Sequence, residues 1–151
     1  MAAIQFQVQR ELAVTADRLW PVLGRFSRLP DWFPGITGFR CSGDAPGARR
    51  DITLDPFQVT QELLTQDDDA RRTVYQVIAG PGMDRDTGFV VTITLEARGE
   101  HCHMCWGASL DALPAAFPPG SEAAFTERTR RNYEQALDHL EGVIARWKNG
   151  D

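Results

Sequence analysis

The sequence predicts an α+β fold in which a curved, antiparallel, seven-stranded sheet wraps around one long C-terminal helix, with two short helices after the first strand. Three observations carry this expectation. Residues 4–12 alternate between apolar and polar; residues 36–111 divide into six runs of strand character; and the stretch from Ser121 to about Trp147 keeps helical spacing. A chain of 151 residues has the length of a single domain, expected over 1–151, and could bury roughly 70% of its unfolded surface.

The elements follow in order. Ile4, Phe6, Val8 and Leu12 fall on one side of the first strand, with Gln5, Gln7, Gln9 and Glu11 on the other. Thr15 reads as the N-cap of a short helix, with Asp17 near its positive end and an apolar stripe of Leu19, Trp20 and Leu23. A second helical turn over 27–32 stops at "WFPG", because a residue before proline disfavours the α region. Strands are then expected near 36–43, 49–55, 57–67, 72–79, 86–97 and 101–111. The breaks between them, "GDAPGA", "DP", "DDDA", "AGPGMD" and "ARGE", are turn chemistry of Gly, Pro and Asp. Short connections between successive strands mean an antiparallel meander. Ser121 then caps the long helix, on which Phe125, Tyr133, Ala136, Leu137, Leu140, Val143, Ile144 and Trp147 form the apolar face, and Gly150 lies just past its end. A strongly bent sheet cannot follow a straight helix along its whole length. Where they diverge a cavity opens.

Composition narrows the function. Net charge is −5 and no basic stripe stands out, so nucleic acid is not an expected partner. No apolar run is long enough to span a bilayer, and the N-terminus "MAAIQFQVQREL" lacks the pattern of a secretory signal, so a soluble cytoplasmic protein is expected, with no membrane insertion. Oligomeric state is left open. Three cysteines, Cys41, Cys102 and Cys105, do not suggest a disulfide framework.

"EHCHMCW" invites a metal or redox reading. On a strand, however, Cys102 and Cys105 point to opposite faces and cannot converge. His101, His103 and Cys105 do share a face. Zinc would need a fourth ligand or an open concave site, and that face is expected to be the solvated one. No metal and no cofactor are therefore expected. His139 on the long helix could reach the cavity edge, although a lone helical His is more often structural. Motifs such as GxSxG, Walker A, GxGxxG and HExxH are absent.

Three places remain for chemistry. Glu62 in "FQVTQELLTQD" would enter the interior if it shares a face with Leu64, where a carboxylate must be paired or protonated. The opposite register puts Phe57, Val59 and Leu63 inside and leaves Glu62 in solvent; alternation favours this second register unless a bulge shifts the phase. Trp32, Phe33 and Pro34 form either a hydrophobic plug or a cavity mouth. "AGPGMDRD" is either a mobile flap or a plain hairpin turn.

Three segments carry a family likeness: "VTADRLWPVLGRFSRLPDWFPGI", "ELLTQDDDARRTVYQV" and the late-strand Trp106. Together they resemble the SRPBCC superfamily of START-related, helix-grip proteins, including polyketide cyclase/dehydrase-like proteins, plant pollen allergens and, more distantly, abscisic acid receptors. The resemblance covers nearly the whole chain. It implies a hydrophobic cavity between sheet and C-terminal helix that binds a hydrophobic or amphipathic small molecule such as a lipid, polyketide or hormone-like compound. It further implies Trp32, Pro34, Tyr75, Phe89, Trp106, Phe125, Thr129 and Tyr133 as lining, with Glu62 as polar anchor by match to the receptor branch. Met83 would close over the ligand, and Asp84 and Arg85 would cap a polar end. Phe89 stands where the receptors place an aromatic hydroxyl, and the gate is only "LDPF", which sets this chain apart from hormone-receptor gating. The alternative is a cyclase/dehydrase-type enzyme using Glu62 or Tyr75 as acid–base. A third reading is an interaction module with a filled core.

Overall fold

The computed structural model describes residues 4–113 and 117–149. Ile4–Leu12 form β1, and Ala16–Leu23 form α1. A 3₁₀ segment over Phe26–Asp31 follows. The remaining strands are β2 (Gly38–Cys41), β3 (Arg49–Leu54), β4 (Phe57–Asp67), β5 (Arg72–Gly80), β6 (Met83–Arg98) and β7 (His101–Leu110), and the chain closes on α2 (Glu122–Lys148). The seven strands form one antiparallel sheet in the order β1-β7-β6-β5-β4-β3-β2. The first strand returns to pair with the last, which leaves β1 and β2 as edges. This is the α+β helix-grip arrangement expected from the sequence.

Period two decides what each strand buries. Ile4, Phe6, Val8 and Leu12 of β1 are buried while Gln5, Gln7 and Gln9 are exposed. On β7 the buried set is Cys102, Met104, Trp106, Ala108 and Leu110. These side chains form one core with the inner residues of β6 and with Phe125, Tyr133, Ala136, Leu137, Leu140, Val143 and Ile144 of α2. Arg10 breaks the apolar alternation of β1 and is compensated by charge. Its guanidinium binds Glu134 at 2.6 Å, Asp138 at 2.8 Å and Glu141, three carboxylates one helical turn apart on α2.

Bends in the sheet shape the interior. Gly88, with φ +65°, takes a left-handed conformation in the middle of β6, and a Cβ there would meet the Asp111 carboxylate at 2.3 Å. The register of β5 against β6 shifts nearby, between Val77 and Ala79. A bulge at this place bends the strands locally, beside the inward-facing Val77 and Phe89.

Several local expectations change. β6 begins at Met83, so Met83, Asp84 and Arg85 are strand residues and only Pro81 and Gly82 make the turn. The 36–43 strand contracts to Gly38–Cys41. Thr15 caps α1 as expected, accepting from the Arg18 N–H at 3.3 Å. Ser121 does not cap α2 with its side chain; its hydroxyl donates to the Pro118 carbonyl at 2.6 Å. The expected Gly150 terminus lies outside the described residues. No helix among the described residues is long and apolar enough to cross a membrane.

Candidate functional site

Between the inner faces of β3–β6 and the N-terminal half of α2 lies a cavity of about 330 Å³. Its wall is mostly apolar: Leu29 and Phe33, then Ile52, Leu54, Val59, Val77 and Val91 from the sheet, and Phe125 from the helix. The strands grade it from one end to the other. Arg50 and Tyr75 are buried, whereas Phe57 on the neighbouring strand is 53% exposed and Pro81 is also exposed. The cavity thus has a closed end at Arg50 and Tyr75, and a rim at Phe57, Pro81 and Met83 with the exposed Arg128 and Asn132 of α2.

An aromatic stack stiffens one wall. Trp106 of β7 lies flat on Tyr133 of α2, with centroids 3.9 Å apart and planes 9° from parallel. Trp32 meets the Trp106 ring edge-on at 5.4 Å, and Phe89 meets Phe125 edge-on at 6.1 Å. Such pairs hold bulky side chains in one orientation and leave the remaining space well defined. The Trp106 indole nitrogen is buried without an acceptor among the described residues.

Arg50 supplies the buried charge, whereas the second lining cation, Arg128, is exposed. Arg50 is 4% exposed, donates from Nε to Gln61 Oε1 at 2.7 Å and from Nη1 to the Phe26 carbonyl at 2.8 Å. Its guanidinium also lies 4.0 Å from the Phe26 ring centroid and 4.6 Å from that of Tyr75. Burial pulls its pKa down to about 10, so it remains a cation at neutral pH. Tyr75 and Tyr133 move the other way, because burial pushes both phenols up; for Tyr75 the nearby Arg50 cation opposes part of that rise. Both phenols are therefore protonated at neutral pH, able to donate a hydrogen bond but not to act as bases.

Of the residues singled out from sequence, Tyr75, Met83, Phe89, Trp106, Phe125, Thr129 and Tyr133 all line this cavity. Trp32 sits one layer behind, buried against Trp106. Pro34 does not reach the wall, although its neighbour Phe33 does. Glu62 requires a correction. It points to the opposite, outer face of the sheet, bound to Arg85 at 3.0 Å and Arg49 at 3.1 Å, and the Arg85 hydrogen bonds hold its carboxyl below the usual value. The reason is the phase of β4: Val59, Gln61 and Leu63 take the inner positions, which sends Glu62 out. Arg85 is consequently engaged on the outer face. Asp84 closes its own turn by accepting the N–H groups of Asp86 at 2.9 Å and Thr87 at 3.2 Å. His139 is exposed.

The His-rich strand divides as its period requires. Cys102 is buried, while His103 on the outer face meets Gln9 at 2.7 Å and Glu11 at 3.3 Å. Cys105 donates to Gln7 at 3.1 Å. Among the described residues no three His, Cys, Asp or Glu side chains gather as a metal site. Sequence reasoning missed Arg50 and Gln61. A signal for Arg50 was present, because the phase that turns Ile52 and Leu54 inward also turns Arg50 inward.

Comparison with known proteins agrees with this geometry. A family model described as polyketide cyclase / dehydrase and lipid transport matches residues 3–145. The chain belongs to this family. As a polyketide cyclase/dehydrase and lipid transport family member of SRPBCC type, it shares its fold with several solved structures. XoxI from Bacillus cereus superposes with a TM-score of 0.80 at 18% identity, over 96% of this chain and 98% of that one. A protein from Thermobifida fusca gives 0.77 at 22% identity, over 91% and 90%. Ara h 8.0201 gives 0.71 at 16% identity, over 93% and 97%. At such identities the likeness speaks for the fold. No curated protein matches the sequence.

Proposed function

We propose that this family member binds a hydrophobic or amphipathic small molecule in the cavity between sheet and C-terminal helix. The observation that carries the reading is the largely apolar space of about 330 Å³, closed at one end, open at the other and walled by stiffened aromatic rings. That volume lies at the lower end of the range usual for small-molecule sites, and the mix of apolar wall with sparse polar groups is their usual chemistry. Affinity would come mainly from apolar burial, at ~25 cal/mol per Å² before ordering costs. Tyr75, Met83, Phe89, Trp106, Phe125, Thr129 and Tyr133 are the proposed contacts, with Trp32 bracing Trp106 from behind.

The experiment is native mass spectrometry of freshly purified protein, with denaturing analysis of whatever is released. A stoichiometric organic adduct supports the reading and gives its chemical class. An adduct-free mass, together with no change in mass or thermal midpoint on adding apolar and amphipathic probes, contradicts it.

A second reading, turnover of a polyketide-like substrate, is favoured by one specific pairing. The Tyr75 phenol, kept protonated, stands beside the Arg50 cation and could polarise a carbonyl brought between them. Glu62 takes no part in that chemistry, because it faces outward. Loss of turnover in Tyr75→Phe with retained binding distinguishes this reading from binding alone.

A further inference from the structure

Among the described residues three arginines are not solvent-exposed, Arg10, Arg50 and Arg71, and two of them are paired with carboxylates. Arg10, whose side chain is 20% exposed, is surrounded by three carboxylates. Arg71, at 28%, binds Asp17. Arg49, on the same strand as Arg50 but facing outward, binds Glu62. Arg50 is the most buried of the four and the only one of them without a carboxylate partner among the described residues. Its hydrogen-bond acceptors, the Gln61 amide and the Phe26 carbonyl, are neutral. The nearest acid on that side, Asp44, is occupied by the N–H and hydroxyl of Ser27 at 2.7 and 2.8 Å. A buried cation ordinarily has a counter-charge, and here the guanidinium lines the cavity instead.

The rest of the wall fixes the direction of what could fill that role. From Arg50 to Leu54 along β3 the lining changes from cation to aliphatic. At ~3.3 Å per residue this gives a run of roughly 13 Å to the rim. Tyr75 adds a protonated phenol at the closed end, while the rim joins the apolar Phe57, Pro81 and Met83 to the exposed Arg128 and Asn132 of α2. An oxyanion at the closed end meets a cation, a phenol and an amide. At the rim it would meet the solvent-exposed Arg128 and Asn132 beside apolar side chains, where water screens the charge.

We propose that the ligand is an amphipathic carboxylic acid that enters head first. Its carboxylate sits on the Arg50 guanidinium, and its apolar body runs outward past Val77 and Phe89 to the rim. This rests on the ligand-binding function proposed above and adds the chemical class and orientation. Planar carboxylate and planar guanidinium match in shape and in donor spacing. The aromatic rings around Arg50 keep water from screening the pair.

The test is calorimetric titration of the full chain with octanoate and with octan-1-ol, which share an apolar body and differ in the head. The wild type should bind octanoate at least about ten-fold more tightly, the factor expected of one charge-assisted hydrogen bond in an apolar site. Arg50→Met should abolish that preference and leave octan-1-ol binding within about three-fold, while Arg50→Lys should keep part of it. A purely structural Arg50 predicts equal losses for both probes, so the ratio of the two affinities carries the decision. Equal binding of acid and alcohol by the wild type, or an acid preference that survives Arg50→Met, overturns the head-group assignment while leaving the cavity reading intact. Binding of neither probe overturns both. Because the wild-type ratio needs no variant, the proposal can fail even if Arg50→Met does not fold.

Discussion

One helix meets one sheet in two different ways. Along its C-terminal half, α2 buries Leu137, Leu140, Val143 and Ile144 in the same core as Leu12, Leu95 and Met104. Along its N-terminal half, Phe125, Thr129 and Tyr133 edge an open space. Both halves present apolar residues at helical spacing, so composition does not separate them. The sheet differs between them: the Gly88 bulge and the nearby register shift interrupt the regular β5–β6 pairing beside the cavity-lining Val77 and Phe89. The filled half supplies stability, and the hollow half is where selectivity for a ligand can be built.

The largest expected effect breaks the filled half. Leu140→Ala removes a side chain with no exposure, and should cost about 3 kcal/mol in denaturant unfolding. Octanoate affinity of the folded fraction should stay within about two-fold, since Leu140 does not touch the cavity. A second variant erases the difference between the halves by filling the hollow one. Val77→Trp should weaken octanoate by about ten-fold or more while the fold is retained. An overpacked core would instead lose about 1–3 kcal/mol of stability, so calorimetric unfolding shows whether the space is open.

A third prediction concerns pH. The native Arg50 pKa of about 10 lies below that of a free guanidinium, so the folded state holds this proton less tightly than the unfolded one. Below pH 10 both states are protonated and the cost of burying the charge is fully present. It is relieved as pH rises above about 10, where the unfolded chain binds more protons. Without ligand, Arg50→Met should therefore equal the wild type at neutral pH or exceed it by ~1 kcal/mol. That advantage should shrink as unfolding is followed above pH 10. The smallest effect belongs to the outer face. Glu62→Gln should leave octanoate affinity within about two-fold, because Arg85 and Arg49 hold that carboxylate away from the cavity.

Much of this was legible in the sequence, for identifiable reasons. Alternation over residues 4–12 and 101–110 fixed which side of each strand is buried, and the same rule kept Cys102 and Cys105 on opposite faces. Glycine-, proline- and aspartate-rich turns delimited the meander, and helical spacing placed α2. Glu62 went wrong where a resemblance was allowed to outweigh alternation; Gln61, one residue earlier, takes the inner position. Arg50 was overlooked because "RR" at the start of a strand reads as solvated, although its phase with Ile52 and Leu54 pointed inward. The extension of β6 through Met83–Arg85 was hidden by "AGPGMD", whose composition signals a turn longer than the one that forms. The cavity depends on where strands leave a helix, and that curvature is a property of the assembled sheet, visible in sequence only as Gly88.

The most direct test follows amide and arginine side-chain resonances of the wild type by nuclear magnetic resonance during titration with octanoate. Saturable shifts at Arg50 Nε, Tyr75, Phe89 and Thr129, with Leu140 and Ile144 left in place, are the predicted result. Shifts gathered on the outer face around Glu62 and Arg85, or none at saturating octanoate, would contradict an amphipathic acid held in the hollow half.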